Sequence, residues 1–198
     1  MTGRKRQPMS ATEFMAQLQV DQEYQLRKET FDAQLQVRAD ALRSAEGPIV
    51  ADLREAGFDV SSVWDLVNTA EPYASALPVL LEHLERGGYP DRVMESLGRA
   101  LAVKPSVVFW ERLKARYRSA RGSGEQEGLA VALAACATPA QTDDLISFLA
   151  EEERGLSRVL FVRPILGVGG ERGRRVVKAL RSDPVLGSEA TALLASRA

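Results

Sequence analysis

The stretch Asp91–Ala102, DRVMESLGRALA, decides how the rest of this chain is read. Its second half returns downstream. Leu97-Gly-Arg-Ala100-Leu101-Ala102 is followed by Leu129-Ala-Val-Ala132-Leu133-Ala134, then by a degraded copy, Phe161-Val-Arg-Pro164-Ile165-Leu166, and last by Ala190-Thr-Ala-Leu193-Leu194-Ala195. The first residues of these units lie 32, 32 and 29 positions apart. A fixed period in that range marks stacked repeats, each a supersecondary unit that cannot cover its own apolar face alone.

A second apolar-periodic segment precedes each unit, over residues 77–84, 107–117, 142–149 and 173–180. Each holds an apolar residue three positions before a leucine: Leu81/Leu84, Trp110/Leu113, Ile146/Leu149 and Val177/Leu180. Spacings of three and four put such side chains on one helical stripe. Two helices and a short turn make a hairpin, and hairpins must stack to bury their stripes. The hairpins, the Ala-Leu-Ala run of the second helix and the period near 32 resemble HEAT repeats over roughly residues 71–198, as in small bacterial HEAT-repeat proteins. The resemblance implies an all-α fold, a short right-handed α-solenoid of HEAT-like helical hairpins. It implies no defined activity, because one fold carries many functions.

Residues 1–10 are polar and basic and read as a disordered tail. Residues 11–46 contain neither proline nor glycine and are rich in helix formers, which predicts a long N-terminal helix. Its apolar stripe is thin, with Phe14/Leu18 and Phe31/Leu35 at helical spacing, and falls short of a sustained heptad pattern. Three roles stay open for it: a cap on the first repeat, a dimerisation helix, or a helix that orders with a partner. Gly47-Pro48 is expected to break it, with a new helix over 49–56. Ser61 or Ser62 is placed to cap a short helix containing Val63 and Trp64. Together residues 47–72 read as an irregular capping hairpin, followed by repeats at 73–103, 104–137, 138–168 and 169–198. Pro78, Pro90, Pro105, Pro139 and Pro184 fall at expected helix starts, with Thr138-Pro139 the clearest cap. Pro164 takes the place of Ala100 and Ala132 and is expected to kink a helix from inside.

The composition is that of an ordinary globular protein, 45% hydrophobic and 27% charged with a net charge of −1. No apolar run reaches membrane-spanning length, and no apolar segment follows the basic Arg4-Lys5-Arg6 as in a secretory signal. A single cysteine, Cys136, excludes an internal disulfide and suits a reducing compartment, hence an expected cytoplasmic location. Its alanine-rich surroundings predict a buried small side chain. With one histidine, His83, and one cysteine, neither a zinc cluster nor the paired His-Glu iron sites of some HEAT-repeat enzymes can be assembled. No cofactor, metal or catalytic residue is assigned. His83 reads as a surface or groove residue, and Asp143-Asp144 as first-turn helix acids. The glycines at 167, 169 and 170 lack the strand and the Lys-Ser/Thr of a phosphate loop.

Charge alternates by block. Residues 104–121 hold six cations and one carboxylate, residues 122–153 no cation and seven carboxylates, and residues 154–198 nine cations and three carboxylates. Arg99 and Arg163 occupy equivalent repeat positions with Val131 between them, and Arg92 and Arg158 lie nearby in the same frame. These four arginines could line a binding groove, or the basic blocks could pair with the acidic ones across repeats. The leading expectation is a non-catalytic, cytosolic scaffold, adaptor or regulator that binds a protein partner through a concave face. The alternative is a nucleic-acid-binding HEAT-like protein, resembling the HEAT-like DNA glycosylases. That alternative needs Arg99, Arg158 and Arg163 on one open face, free of Asp91, Glu95 and Glu127.

Overall fold

The computed structural model describes residues 10–12, 15 and 21–196; among them all regular structure is helical and no strand occurs. The chain divides into two compact units, Met1–Ser44 and Ala45–Ala198. Among the described residues no helix is long and apolar enough to cross a membrane. The tail expected over residues 1–10 lies, apart from Ser10, outside the described residues, as does Phe14/Leu18 of the N-terminal stripe.

Ala11, Thr12 and Met15 are helical and Asp21 is not, so the long helix α1 (Gln22–Glu55) starts later than the sequence predicts. The Asp21 carboxylate accepts the Tyr24 N–H at 3.1 Å, which caps the first turn. In the first unit no described residue from 21 to 44 is buried, and Leu26, Phe31 and Val37 are more than half exposed. Helix propensity and local pairs such as Arg43–Asp40 (2.7 Å) hold this part of α1.

The expected break at Gly47-Pro48 does not occur, and Pro48 lies inside α1. An interior proline removes one ladder bond and crowds the residue before it. Glycine at 47 has no Cβ to be crowded, and Ile49, Val50 and Leu53 hold the far side in place by burial. Glu46, just before the proline, is itself buried and accepts the Ser62 hydroxyl at 2.7 Å.

The second unit continues with α2 (Val63–Asn68), α3 (Leu77–Arg86), α4 (Asp91–Ala100), α5 (Trp110–Ser119) and α6 (Ser123–Cys136). It ends with α7 (Thr142–Ala150), α8 (Val162–Val168), α9 (Gly170–Ala179) and α10 (Gly187–Ala195). Ser62 caps α2 in a reciprocal box with Asp65, and Thr138 caps the 3₁₀ turn Pro139–Gln141 that leads into α7. The helices pack in the sequential pairs α3/α4, α5/α6, α7/α8 and α9/α10. Two segments differ from expectation. The 107–117 helix is split into a 3₁₀ helix, Lys104–Phe109, and α5. Pro164 does not kink α8 from inside but stands third in it, in the first turn, where its missing N–H has no intrahelical acceptor to lose.

The centre of the packing is α4 against α6, and α2 also packs on α4. A Cβ at Gly98 would stand 2.5 Å from the Gly128 carbonyl carbon, and one at Gly128 would stand 2.5 Å from the Glu95 carbonyl oxygen. Leu97, Leu101, Leu129 and Leu133 around this crossing are fully buried. A second cluster joins α5, α7 and the 3₁₀ helix Glu152–Phe161: the Tyr117, Phe148 and Phe161 rings lie 4.8 to 5.5 Å apart.

The crossing gives a test in which the usual sign reverses. Alanine normally stabilises a helix over glycine by up to about 1 kcal/mol, and Gly167→Ala, with nothing within 4 Å of its Cβ, should follow that rule. Gly98→Ala should instead destabilise by about 1–3 kcal/mol through overpacking, read as a lower urea midpoint. Equal midpoints for the two variants would contradict the close crossing.

Candidate functional site

The second helices of three successive pairs place Arg99 (α4), Val131 (α6) and Arg163 (α8) at the same repeat position. Val131 borders two grooves. One, of about 390 Å³, reaches from Val131 past Arg99 and Val103 to Tyr73 and Val67. The other, of about 490 Å³, is floored by Val131, Ala134, Ala135, Leu160 and Pro164 and flanked by Arg163 and Glu189. Positions 131, 134 and 135 share one face of α6 while Leu129, Ala132, Leu133 and Cys136 are buried on the other. The alanines are the reason there is room: a larger residue at 134 or 135 would fill the floor. Val159 and Leu160 carry the strip into a third hollow of about 450 Å³ edged by Leu156, which is 77% exposed. The result is a run of apolar side chains from Val131, Ala134 and Ala135 of α6 to Val159 and Leu160 of the 3₁₀ helix and Pro164 of α8.

The four arginines expected to line a groove have separate fates. Arg99 donates to Glu95 at 2.8 Å and pairs with Glu127. Arg92 pairs with the same Glu95 at 2.5 Å and lies 4.7 Å above the Trp64 ring. Arg158 is not on an open face at all. It is 7% exposed and donates to the Leu149 carbonyl at 2.7 Å and the Gly155 carbonyl at 3.2 Å, where the α7 backbone ends. Arg163 alone of the four is exposed and engages no hydrogen bond or ion pair among the described residues. Structure thus brings Arg99 and Arg163 to either side of Val131 and takes Arg92 and Arg158 elsewhere.

The basic and acidic blocks pair across the fold. Arg112 of α5 makes a two-pronged contact with Glu85 of α3, at 2.7 and 2.5 Å. Arg116 pairs with Glu125 at 2.6 Å, Arg118 with Glu151 at 2.9 Å, and Lys114 with Asp144 at 2.9 Å. Burial works against the charged form of Asp144, yet hydrogen bonds from Lys114 and from Trp110 Nε1 (2.6 Å) outweigh it and hold the carboxyl below the usual carboxylate range. The Asp144 hydrogen bond in turn raises the Lys114 ammonium.

His83 is not a surface or groove residue. It is 1% exposed, with Nε2 2.8 Å from an Asp52 carboxylate oxygen and Nδ1 2.7 Å from the Tyr89 hydroxyl. Both ring nitrogens are satisfied, and the ring ties α1 to the loop after α3. Burial pushes the Cys136 thiol up to about 11, so at neutral pH it stays a thiol, a poor nucleophile. Among the described residues no group of three or more His, Cys, Asp or Glu is disposed to hold a metal.

Two polar contacts were hidden from sequence reasoning. Asp91 accepts the Gly124 and Glu125 N–H groups at 2.8 and 3.0 Å, capping α6 from the start of α4. The signal was the glycine pair at 122 and 124: a Cβ at Gly122 would stand 1.9 Å from the Asp91 carboxylate. Arg154 donates to the carbonyls of Tyr117, Arg118 and Ala120 at the end of α5, and nothing in its local sequence announces that.

The depressed Asp144 pKa gives a pH dependence with a defined sign. Its contribution to stability is complete above the ordinary value of 3.8 and is lost as pH falls through the lower native value. Asp144→Asn should therefore lose less melting temperature than the unsubstituted chain between pH 7 and pH 3, measured by circular dichroism; an equal or larger loss would contradict the assignment. No protein-family model, curated protein or solved structure matches this chain.

Proposed function

We propose that this chain is a non-catalytic adaptor or regulator of the cytoplasm, a short α-solenoid of HEAT-like hairpins that holds a segment of a partner protein in the groove divided by Val131. The carrying observation is the strip itself: an apolar floor of small side chains between two arginine positions, shaped by the same repeat position of three successive helices. Such a floor gains energy from apolar side chains of a bound segment, at roughly 25 cal/mol per Å² of area removed from water. The exposed Arg163 guanidinium, unpaired among the described residues, offers an acidic residue of that segment a charge-assisted hydrogen bond. The exposed side chains of α1, among them Leu26 and Phe31, offer a further contact area for a partner or a second copy.

The nucleic-acid alternative loses support from the same residues. A phosphate track along this groove needs several free cations there, and Arg99 is shared between Glu95 and Glu127 while Arg158 is buried. The groove at Arg163 has no aromatic side chain to stack a base, as recognition of an extruded or single-stranded base requires.

The test is a selection of displayed random peptides on the immobilised full chain. Selected peptides should bind with micromolar Kd and lose about tenfold or more on Ala135→Arg or Leu160→Asp, with binding retained on Arg121→Ala, away from the groove. Peptides indifferent to the groove substitutions, or labelled DNA or RNA that binds more tightly than any peptide, would overturn the proposal.

A further inference from the structure

The pairing of α5 sets a pattern that α9 follows on one side alone. Successive residues turn about 100° round a helix. Measured from the buried stripe of α5, Trp110, Leu113 and Tyr117, the cations fall on two flanks. Lys114 and Arg118 turn one way and meet Asp144 and Glu151, at the start and just past the end of α7. Arg112 and Arg116 turn the other way and meet Glu85 of α3 and Glu125 of α6. Carboxylates from neighbouring helices therefore cover both flanks.

In α9 the buried stripe is Gly173 and Val177. Arg172 lies on one flank and pairs with Asp143 of α7. Arg174 and Lys178 turn to the opposite flank, and Arg181, in the 3₁₀ turn Leu180–Ser182 that follows α9, continues the row three residues on, over about 10 Å. All three are exposed, and among the described residues none makes a hydrogen bond or ion pair; Arg175 beside them is in the same condition. The nearby acids do not answer them. Glu171 of the same helix is exposed and makes no ion pair, and Asp183 is occupied with the Val185 and Leu186 N–H groups at 2.8 Å.

We infer that the row formed by Arg174 and Lys178 of α9 and Arg181 of the turn after it is a docking surface for an acidic helix of a partner protein. The chemistry is the one this chain already uses on α5, where rows of cations meet carboxylates from adjoining helices. Arginine at two of the three positions favours two-pronged carboxylate contacts, as Arg112 makes with Glu85. The exposed residues of α9 are charged apart from Gly170 and Ala179, so the flank has no large apolar side chain to enter a membrane and no aromatic one to stack a base. A partner with glutamates four residues apart along one helix face matches the row. This surface is separate from the groove at Val131, and either can fail without the other.

The probe is an alanine-based helical peptide with glutamates at every fourth position, titrated against the full chain by fluorescence anisotropy. Its controls are an isomer with the glutamates spread round the helix and a mixed-sequence DNA duplex. The row peptide should bind at least about fivefold more tightly than the isomer and more tightly than the duplex, with affinity falling as salt rises. Binding should drop at least about tenfold in the triple variant R174E/K178E/R181E, which should stay folded with a melting temperature lowered by a few degrees at most, because these side chains make no hydrogen bond or ion pair among the described residues and lose only their favourable place near the end of α9. Amide shifts of the unsubstituted chain should map peptide binding to α9. No binding, equal binding to the isomer, shifts elsewhere, or tighter binding of the duplex would overturn the inference, the last assigning the flank to phosphate.

Discussion

At Gly98 and Gly128 the backbones of α4 and α6 meet with no side chain between them, and the spacing of the second unit depends on that contact. Once the two helices are this close, Leu97 and Leu101 beside Gly98 and Leu129 and Leu133 after Gly128 are carried into the interior together. The approach also brings the start of α4 to the start of α6, where the Asp91 carboxylate takes two otherwise unpaired N–H groups. Gly122 and Gly124 are short for the same reason as Gly98. A side chain at any of these positions would meet backbone or a carboxylate before the helices could seat.

Charge works on top of this packing and does a different job. Exposed ion pairs contribute about 0–1 kcal/mol each, so the pairs along α5 cannot be the chief source of stability. They act as a register. Arg112, Lys114, Arg116 and Arg118 each find one carboxylate on a particular neighbour, and a helix rotated or shifted by one turn would set them against apolar surface or solvent. Arg154 and Arg158 serve more deeply, closing the carbonyl ends of α5 and α7 with hydrogen bonds that alanine or lysine could not reproduce. The groove exists because the second half of α6 turns Val131, Ala134 and Ala135 outward, side chains too small to fill it.

The period, the all-helical class and the caps at Ser62 and Thr138 were legible because each rests on local pattern. Apolar spacing and cap chemistry are written within a few residues of where they act. The errors share a cause as well. Proline at 48 reads as a stop, since propensity weighs the lost bond and not the burial of Ile49 and Leu53 that keeps the helix going. Proline at 164 looked internal because alignment to the repeat fixed its place, while the helix itself starts at Val162. Solitary His83 and the arginine at 158 looked available for binding. Their partners, Asp52, Tyr89 and the Leu149 carbonyl, are set by tertiary packing. In the groove, the Arg99–Val131–Arg163 alignment was readable from the period, but not that Arg163 is unpaired among the described residues while Arg99 is bound.

Many of the contacts that join the second unit span about one repeat of chain. Tyr73 reaches the Ala100 carbonyl across 27 residues, Arg99 reaches Glu127 across 28, Lys114 reaches Asp144 across 30, and Asp91 reaches Glu125 across 34. Every such closure is therefore similarly cheap in chain entropy, because that cost grows only slowly with loop length. No strand pairing or distant end has to be brought home first. The α4–α6 crossing thus forms by closing a stretch of chain about one hairpin long, a contact of modest sequence separation for so central a place in the packing.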